Sequence, residues 1–323
     1  MERKCCFMLK RLQDWLPVVS GGLAIFIELF LKNSSRHPRT QEPYLFYALL
    51  IFTIFFAIIA ILSCFNKRVK IWLAEKSLFV AASILALTIL NIVTKKFALL
   101  PVIFFPSPDK ILSVIIEDRT FLLTCLASSG KLLFTGCFFG ALAGFITGVA
   151  VGFSKNAAYW INPIVRLLGP IPATAWIPIV LVSFPTTFSA SCFLIALSVW
   201  FPTAVLTGSG ILNVQNAYFE VSSTLGAGRF YQIFKVGIPA AMPHMFIGLF
   251  NGLCAAFITL MTAEMLGVKN GIGWYINWQK DMMAYANVYA GLIIIAVTFS
   301  VLLTLLFRVR DGILVWQKGV IKW

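Results

Sequence analysis

The stretch NVQNAYFEVSSTLGAGRFYQIFKVGIPAAMP, residues 213–243, is a polar interruption in a chain that is otherwise largely apolar. A chain that only reverses direction between two membrane spans needs a short turn, whereas this segment is long and carries signals for local structure. Glu220, Gly226 and Pro239 divide it into parts. The stretch therefore predicts a structured loop that offers a docking surface to a soluble partner.

The first half of this loop predicts a short helix over Ala217–Leu225, with Asn213 or Asn216 as its cap. Three side chains spaced three and four residues apart give this helix one apolar face: Tyr218, Val221 and Leu225. Gly226 then supplies the left-handed residue at which such a helix stops.

The second half predicts another helix, over Arg229–Val236, with Phe230 and Phe234 on one side. Gly237 and Pro239 are predicted to end it before the next span. The alternative for the whole loop is a helical hairpin that lies at the membrane surface and has no partner.

The composition on either side of the loop indicates a membrane protein. Of the 323 residues, 60% are hydrophobic and 12% are charged, against about 25% charged in soluble domains. The apolar runs are long and continuous, so they predict helices rather than the alternating strands of a barrel. The predicted fold class is an all-α polytopic membrane protein with about eight transmembrane helices. The predicted spans are 16–31, 44–64, 77–94, 130–153, 160–183, 189–208, 244–266 and 288–308.

The basic residues predict how the chain is oriented. With eight spans, 16 of the 26 Lys and Arg residues fall on the side that holds both termini and the loop at 213–243. The positive-inside rule therefore predicts that both termini and this loop are cytoplasmic. Because the basic residues flank apolar runs instead of forming one patch, the net charge of +14 indicates contact with the lipid bilayer and not with nucleic acid.

The chain offers little for catalysis or metal binding. It has two histidines, His37 and His244, which fall on opposite sides of the membrane, and its cysteines lack metal-ligand spacing. No hydrolase, zinc or ATP-binding motif is present. We therefore expect no enzyme activity, no metal and no cofactor, and any energy must come from a partner or an ion gradient.

Two patterns lie within the predicted spans, a repeat of glycines and a cluster of prolines. Glycines recur every four residues at Gly140, Gly144, Gly148 and Gly152, which predicts close helix packing, with pore lining as the alternative. The segment 167–182 holds three prolines in a short window, which predicts a broken or kinked helix near a translocation path. Its candidate path residues are Pro170, Pro172, Trp176 and Pro178.

Two carboxylates fall in or near spans, and such groups are candidates for function. Glu28 is placed near the outer end of the first span, where it can reach interfacial water, and Glu264 near the outer end of the seventh. Glu264 is a further candidate for the path or its gate, with a structural role as the alternative. Outside the membrane, Asp109 is expected to cap a short amphipathic helix, the alternative being a solvated loop.

The spacing within 213–243 resembles the cytoplasmic loop of permease subunits in binding-protein-dependent ABC importers. The pattern of that family is E-A-A, three residues, G, nine residues and I-x-L-P. Glu220 and Gly226 match its fixed residues, and Pro239 closes the pattern, whereas Val221 and Ser222 replace the two alanines. LPVIFFPSP (100–108), GPIPATAWIPIVL (169–181) and AEMLGVKNGIGWYI (263–276) resemble the nitrate, sulfonate and taurine branch.

The resemblance implies a type I importer with a six-helix permease core over 77–323 and a coupling loop at 213–243. Residues 1–76, with two further helices, have no counterpart in the usual subunit, and lipid anchoring or subunit packing would account for them. The implied partners are two cytoplasmic ATPase subunits that hydrolyse ATP, a second permease copy, and an extracytoplasmic substrate-binding protein. The implied coupling residues are Glu220, Val221, Ser222, Leu225, Gly226, Ala227, Arg229 and Pro239.

The implied location is the inner membrane, and the implied cargo is a small solute such as a sulfonate, taurine or nitrate. Pyrimidine-like or riboflavin-like vitamin precursors are the alternative cargo, since no Lys or Arg in the middle of a core span favours an anion. A channel or secondary carrier that works without ATP, and a membrane scaffold, are the alternatives from other classes.

Overall fold

The computed structural model describes residues 2–34, 43–63 and 65–316, and His37, Lys318 and Lys322 lie outside them. All regular elements in the described residues are helical. The helices are α1 (Glu2–Phe30), α2 (Tyr44–Ser63), α3 (Lys67–Asn91), α4 (Pro108–Glu117), α5 (Arg119–Phe153), α6 (Lys155–Leu168), α7 (Ile177–Ser183), α8 (Thr187–Leu212), α9 (Asn216–Thr224), α10 (Arg229–Tyr231), α11 (Ile238–Leu266), α12 (Ile272–Asp281) and α13 (Tyr285–Ile313). Two π-helical turns, Ile92–Lys96 and Gln232–Gly237, and a 3₁₀ turn, Ala173–Trp176, complete the set.

The number of candidate membrane spans is roughly consistent with the predicted eight. Among the described residues, six helices are long and apolar enough to cross a membrane, and α6 with α7 makes a seventh if this bent pair is one span. The first predicted span, 16–31, corresponds to the apolar part of α1, Trp15–Phe30, which is shorter than these helices. The all-helical fold class is thereby confirmed.

The chain forms two compact units. Unit 1 comprises Met1–Arg119 with Gln279–Ala290, and unit 2 comprises Thr120–Trp278 with Gly291–Trp323.

Unit 1 contains α1 to α4, which pack around small apolar clusters such as Phe56, Ala60 and Leu73. The predicted helix after the proline-rich segment is present as α4, but the prediction of its cap was wrong. Ser107 caps α4, because its hydroxyl accepts the Lys110 N–H. Asp109 is instead fully buried and accepts the backbone N–H of Leu45 at 2.9 Å.

Buried charges hold α1 against the π-helical turn Ile92–Lys96 that follows α3. The Lys95 ammonium contacts the carboxylates of Glu28 and Asp109, and Lys96 lies 3.3 Å from Glu28. Lys96 also donates to the backbone carbonyls of Glu28 and Leu31. The expectation that Glu28 reaches interfacial water was wrong, because its side chain is only 7% exposed and is neutralised by the two lysines.

Glycines bring the helices of unit 2 together. A Cβ atom added to Gly140 would lie 2.5 Å from the Ala196 carbonyl oxygen, and one on Gly144 would lie 2.7 Å from the Thr203 Cβ. Gly148 and Gly152 meet α8 in the same manner at Thr207 and Ile211. The glycine repeat on α5 is therefore a packing face against α8, as the sequence indicates.

The second helix of the 213–243 loop does not end before the next span. The chain is helical without a break from Arg229 to Leu266, so the prediction that Gly237 and Pro239 end this helix was wrong. Pro239 lies in the first turn of α11. The wider π-helical turn at Gln232–Gly237 joins the two segments, and a proline in the turn after it costs no additional hydrogen bond.

Candidate functional site

The loop between α8 and α11 contains the short helix α9 and a sharp turn at Gly226. The predicted helix is present as Asn216–Thr224, but neither predicted asparagine caps it, because Gln215 occupies that position. Gly226 has φ +81°, and the turn is closed by two backbone hydrogen bonds, Gly226 N–H to Ser223 O and Ala227 N–H to Ser222 O. This is the Schellman arrangement, so the predicted left-handed stop at Gly226 is confirmed.

The apolar face predicted for α9 is turned outward. Tyr218, Val221 and Leu225 are 56%, 60% and 82% exposed, respectively. Phe230, just beyond the turn, is 80% exposed. An exposed cluster of large apolar side chains on a short, well-defined helix is typical of a surface that binds another protein.

The opposite side of α9 fixes the loop to unit 2. The Phe219 ring packs edge-on against Phe153 at the end of α5, with ring centroids 5.9 Å apart. Ser222 is buried, and the Gln232 side chain donates to the Phe219 carbonyl at 3.4 Å. The apolar face is therefore presented on a supported element.

The other coupling residues lie on the outward side or at the junction with α11. Glu220 and Arg229 are exposed, whereas Ala227 and Pro239 are half-buried. Neither the Glu220 nor the Arg229 side chain forms an ion pair within the described residues. Both charges are thus available to a partner that covers the apolar face.

A second candidate site is a cavity of about 330 Å³ in unit 2. Its walls are the break between α6 and α7, one face of α8 and one face of α11. The two helices that flank the break meet at an angle of 83°, so the predicted irregularity of the proline segment is present. A broken helix of this kind exposes backbone polar groups, which membranes tolerate only beside protein or water.

The predicted path residues do not all reach this cavity. Pro172 lines it, Pro170 lies exposed beside it, and Pro178 is exposed in the first turn of α7. Trp176 packs against the apolar cluster around Ile177. Of the four positions, Pro172 is thus the one that lines the cavity.

Glu264 lies away from the cavity walls and is only 1% exposed. Its carboxylate accepts the backbone N–H of Gly273 at 2.8 Å, at the start of α12. Ser129 accepts the neighbouring N–H of Ile272 at 2.9 Å. Gly271, with φ +138°, passes so close to the Glu264 carboxylate that no side chain would fit there. The contacts of Glu264 are therefore those of a helix cap.

Asn251 is a cavity residue that the sequence analysis missed. It lies in the middle of α11, and its face continues with Ala255, Ile258 and Thr259 along the cavity. The signal available in the sequence was an amide at the centre of a long apolar helix, where a polar side chain is costly.

Comparison with known proteins places these features in a family. Residues 140–313 match the family described as binding-protein-dependent transport system inner membrane component. The chain is 28% identical to the taurine transport system permease protein TauC of Escherichia coli over 269 residues, 80% of this chain and 94% of that one. It is 31% identical to a putative aliphatic sulfonates transport permease protein, SsuC, of Bacillus subtilis, over 57% of this chain and 67% of that one.

Among solved structures, the fold resembles a chain of the MetNI methionine ABC transporter in an inward-facing conformation. The TM-score is 0.50 at 19% sequence identity, with 61% of this chain and 98% of that chain covered. The family match covers more than half of the sequence, including the loop with α9, the cavity and Glu264. The chain belongs to the inner membrane components of binding-protein-dependent transport systems and is a permease subunit of an ABC importer.

Proposed function

We propose that α9 and the turn at Gly226 dock on a cytoplasmic ATPase subunit and pass its movements to the membrane helices. The observation that carries this proposal is the outward apolar face of Tyr218, Val221 and Leu225 on a helix that ends in a φ +81° turn. Glu220, Ser222, Ala227, Arg229 and Pro239 support this surface as flanking or junction residues. A partner that covers this face would bury three large side chains that are now in water.

The assembly that we propose holds two copies of this chain, two ATPase subunits and an extracytoplasmic substrate-binding protein. ATP binding and hydrolysis by the ATPase pair would shift the membrane helices between inward-facing and outward-facing states. Both termini and the 213–243 loop would be cytoplasmic, as the distribution of basic residues favours. Residues 1–76 would form an N-terminal extension of the permease core at 77–323.

The cargo that we propose is a small solute of the kind named for the relatives, a sulfonate, taurine or nitrate. Pro170, Pro172, Trp176, Pro178 and Glu264 remain candidates for the path. The cavity beside Pro172 favours one alternative, a vitamin precursor of the pyrimidine or riboflavin type, because no side chain that lines it is charged.

The test of docking is the Gly226→Val substitution. A β-branched residue is strained at φ +81°, so the turn should open and α9 should lose its position. The variant should insert in the membrane normally but lose most of the ATPase activity that the binding protein stimulates in proteoliposomes containing the cognate ATPase subunit. Co-purification of the two subunits measures docking directly.

Gly228→Val is the matched control. Gly228 lies two residues away in an extended conformation with φ −70°, and a Cβ there would meet no atom within 4 Å. It should retain nearly normal coupling. Equal activity of both variants would contradict the proposed role of the turn at Gly226. Failure of the unsubstituted chain to bind its ATPase subunit would contradict the proposed function as a whole.

A further inference from the structure

The Asn251 amide lies exposed at the middle of a membrane-crossing helix. Asn251 is near the centre of α11, which runs from Ile238 to Leu266. Its amide makes no hydrogen bond with any other residue in the described part of the chain. An amide in contact with lipid tails would leave two donors and an acceptor without partners, and membrane proteins avoid this.

The exposed face of α13 has a different character, although α13 is also 29 residues long. Its large exposed side chains include Val297, Val301 and Leu305, which are apolar. Such a stripe is suited to lipid. The hydroxyl of Thr304 on the same helix donates to the Ser300 carbonyl, whereas the Asn251 amide makes no such bond to its own helix. The Asn251 face of α11 is therefore unsuited to lipid, in contrast to that of α13.

Three other polar side chains around the cavity donate their hydrogens within the protein, whereas the Thr174 hydroxyl makes no hydrogen bond in the described part of the chain. Ser198 donates to the Ile195 carbonyl at 2.7 Å, and Thr259 donates to the Ala255 carbonyl at 3.0 Å. The Trp200 indole N–H donates to Thr147 at 3.1 Å. Asn251 thus remains, with the smaller Thr174 hydroxyl, as a side chain on the cavity wall whose donors and acceptor are free.

The cavity also lacks countercharges, since all the side chains that line it are neutral. A solute with a net charge would give up part of its hydration here without gaining an opposite charge. A zwitterion or an uncharged polar solute would lose less hydration free energy and could form hydrogen bonds with the amide. The side chains that line the cavity therefore favour solutes of zero net charge.

We propose that Asn251 lines a water-filled solute path that admits small polar solutes of zero net charge. This inference rests on the proposed function, because it assigns the cavity to the path of the importer. Among the solute types considered above, it favours a zwitterion such as taurine or an uncharged heterocycle over nitrate and over sulfonates with a net negative charge. Charge selection against anions would then be a property of the membrane subunit itself.

The experiment uses Asn251→Cys, with Val301→Cys as the matched control, in the full chain reconstituted in lipid. The rate of reaction with a neutral hydroxyethyl thiosulfonate and with its anionic sulfonatoethyl counterpart is measured, after subtraction of the reactivity of the unsubstituted chain. We expect the Asn251→Cys variant to react readily with the neutral reagent and the Val301→Cys variant to be nearly inert. Equal, low reactivity at both positions would overturn the water-filled path.

The preference for net-neutral solutes is tested by the ratio of the reaction rates with the anionic and the neutral reagent. The Gly228→Cys variant in the exposed loop is the reference. The anionic reagent should react about tenfold or more slowly than the neutral one at position 251, relative to the same ratio at 228. A ratio equal to that of the loop would overturn the preference for net-neutral solutes.

A third measurement separates a transport path from a static wet pocket. In the complex with its ATPase subunits, a non-hydrolysable ATP analogue should change the reactivity of the Asn251→Cys variant several-fold and leave that of the Val301→Cys variant unchanged. An unchanged rate at position 251 in a complex that binds the analogue would overturn the assignment to the path. Failure of the complex to form would instead contradict the proposed function, while the first two measurements on the chain alone would stand.

Discussion

In unit 1, two lysines and two carboxylates lie buried in contact with one another, whereas the helices of unit 2 meet along glycines. Lys95 bridges Glu28 and Asp109, and none of these three side chains is more than 8% exposed. Along α5, in contrast, Gly140 and Gly144 meet uncharged side chains and backbone of α8. The first arrangement depends on every charge having its partner, and the second depends on the absence of side chains.

This difference teaches which changes each unit can tolerate. A buried ion cluster is damaged when one member is removed, because the remaining charge is left without compensation. A glycine contact is damaged when an atom is added, because backbone cannot move away as a side chain end can. The charges of unit 1 therefore have a role in packing, and the cavity of unit 2 is left free of them.

The largest effect is expected from Lys95→Met, which removes the shared partner of Glu28 and Asp109. Asp109 would lose its lysine partner and Glu28 one of its two, so the free energy of unfolding should fall by about 3–5 kcal/mol. Denaturant unfolding of the purified protein in detergent measures this loss.

Lys280→Met is the control for this change. The Lys280 ammonium lies 3.8 Å from Asp281, and both side chains are at least half exposed. Its loss should cost no more than about 1 kcal/mol. Equal effects of the two substitutions would show that the cluster does not hold unit 1 together.

An intermediate effect is expected from Gly140→Ala in unit 2. The added methyl group would overlap the Ala196 carbonyl oxygen, so α5 and α8 must separate, at a cost of about 1–3 kcal/mol. Gly130→Ala on the same helix has no neighbour within 4 Å and should be neutral or stabilise the protein by up to about 1 kcal/mol. Thermal unfolding in detergent compares the two, and a loss at both positions would argue against close packing as the cause.

The smallest effect is expected at Glu264, the buried carboxylate of unit 2 that accepts the backbone N–H of Gly273. Glu264→Leu should lower stability by about 1–2 kcal/mol, since the Gly273 N–H loses its acceptor. Glu264→Gln keeps an acceptor oxygen and should restore most of this stability together with the ATPase activity stimulated by the binding protein. A glutamine variant that is stable but inactive would instead support a role of the charge in the path.

Features that depend on neighbouring residues could be predicted from the sequence. The spans follow from long apolar runs, and the turn at Gly226 follows from a glycine placed directly after a short helix with an apolar face. The glycine face of α5 was predictable for the same reason, since one helix repeat defines it. In each case the physical cause lies within a few turns of the residue concerned.

Features that depend on distant partners were missed. Glu28 and Lys95 are 67 residues apart, and no local pattern indicates that they meet. Asp109 was predicted to cap α4 because it follows a proline at the start of that helix. Its carboxylate instead accepts a backbone N–H from the distant helix α2. The orientation of Asn251 could not be predicted either, because the face of α11 that meets the cavity is set by α8 and by the break after α6.

The π-helical turn at Gln232–Gly237 has a consequence for direction as well as continuity. Each residue of an α-helix advances the side-chain direction by about 100°, so one extra residue in a wider turn rotates everything beyond it by that angle. The segment that begins at Arg229 is therefore offset about the helix axis from the segment that carries Asn251. A single inserted residue thus sets the direction about the helix axis in which the loop's side chains project relative to the cavity face. The 38-residue helix Arg229–Leu266 stays unbroken.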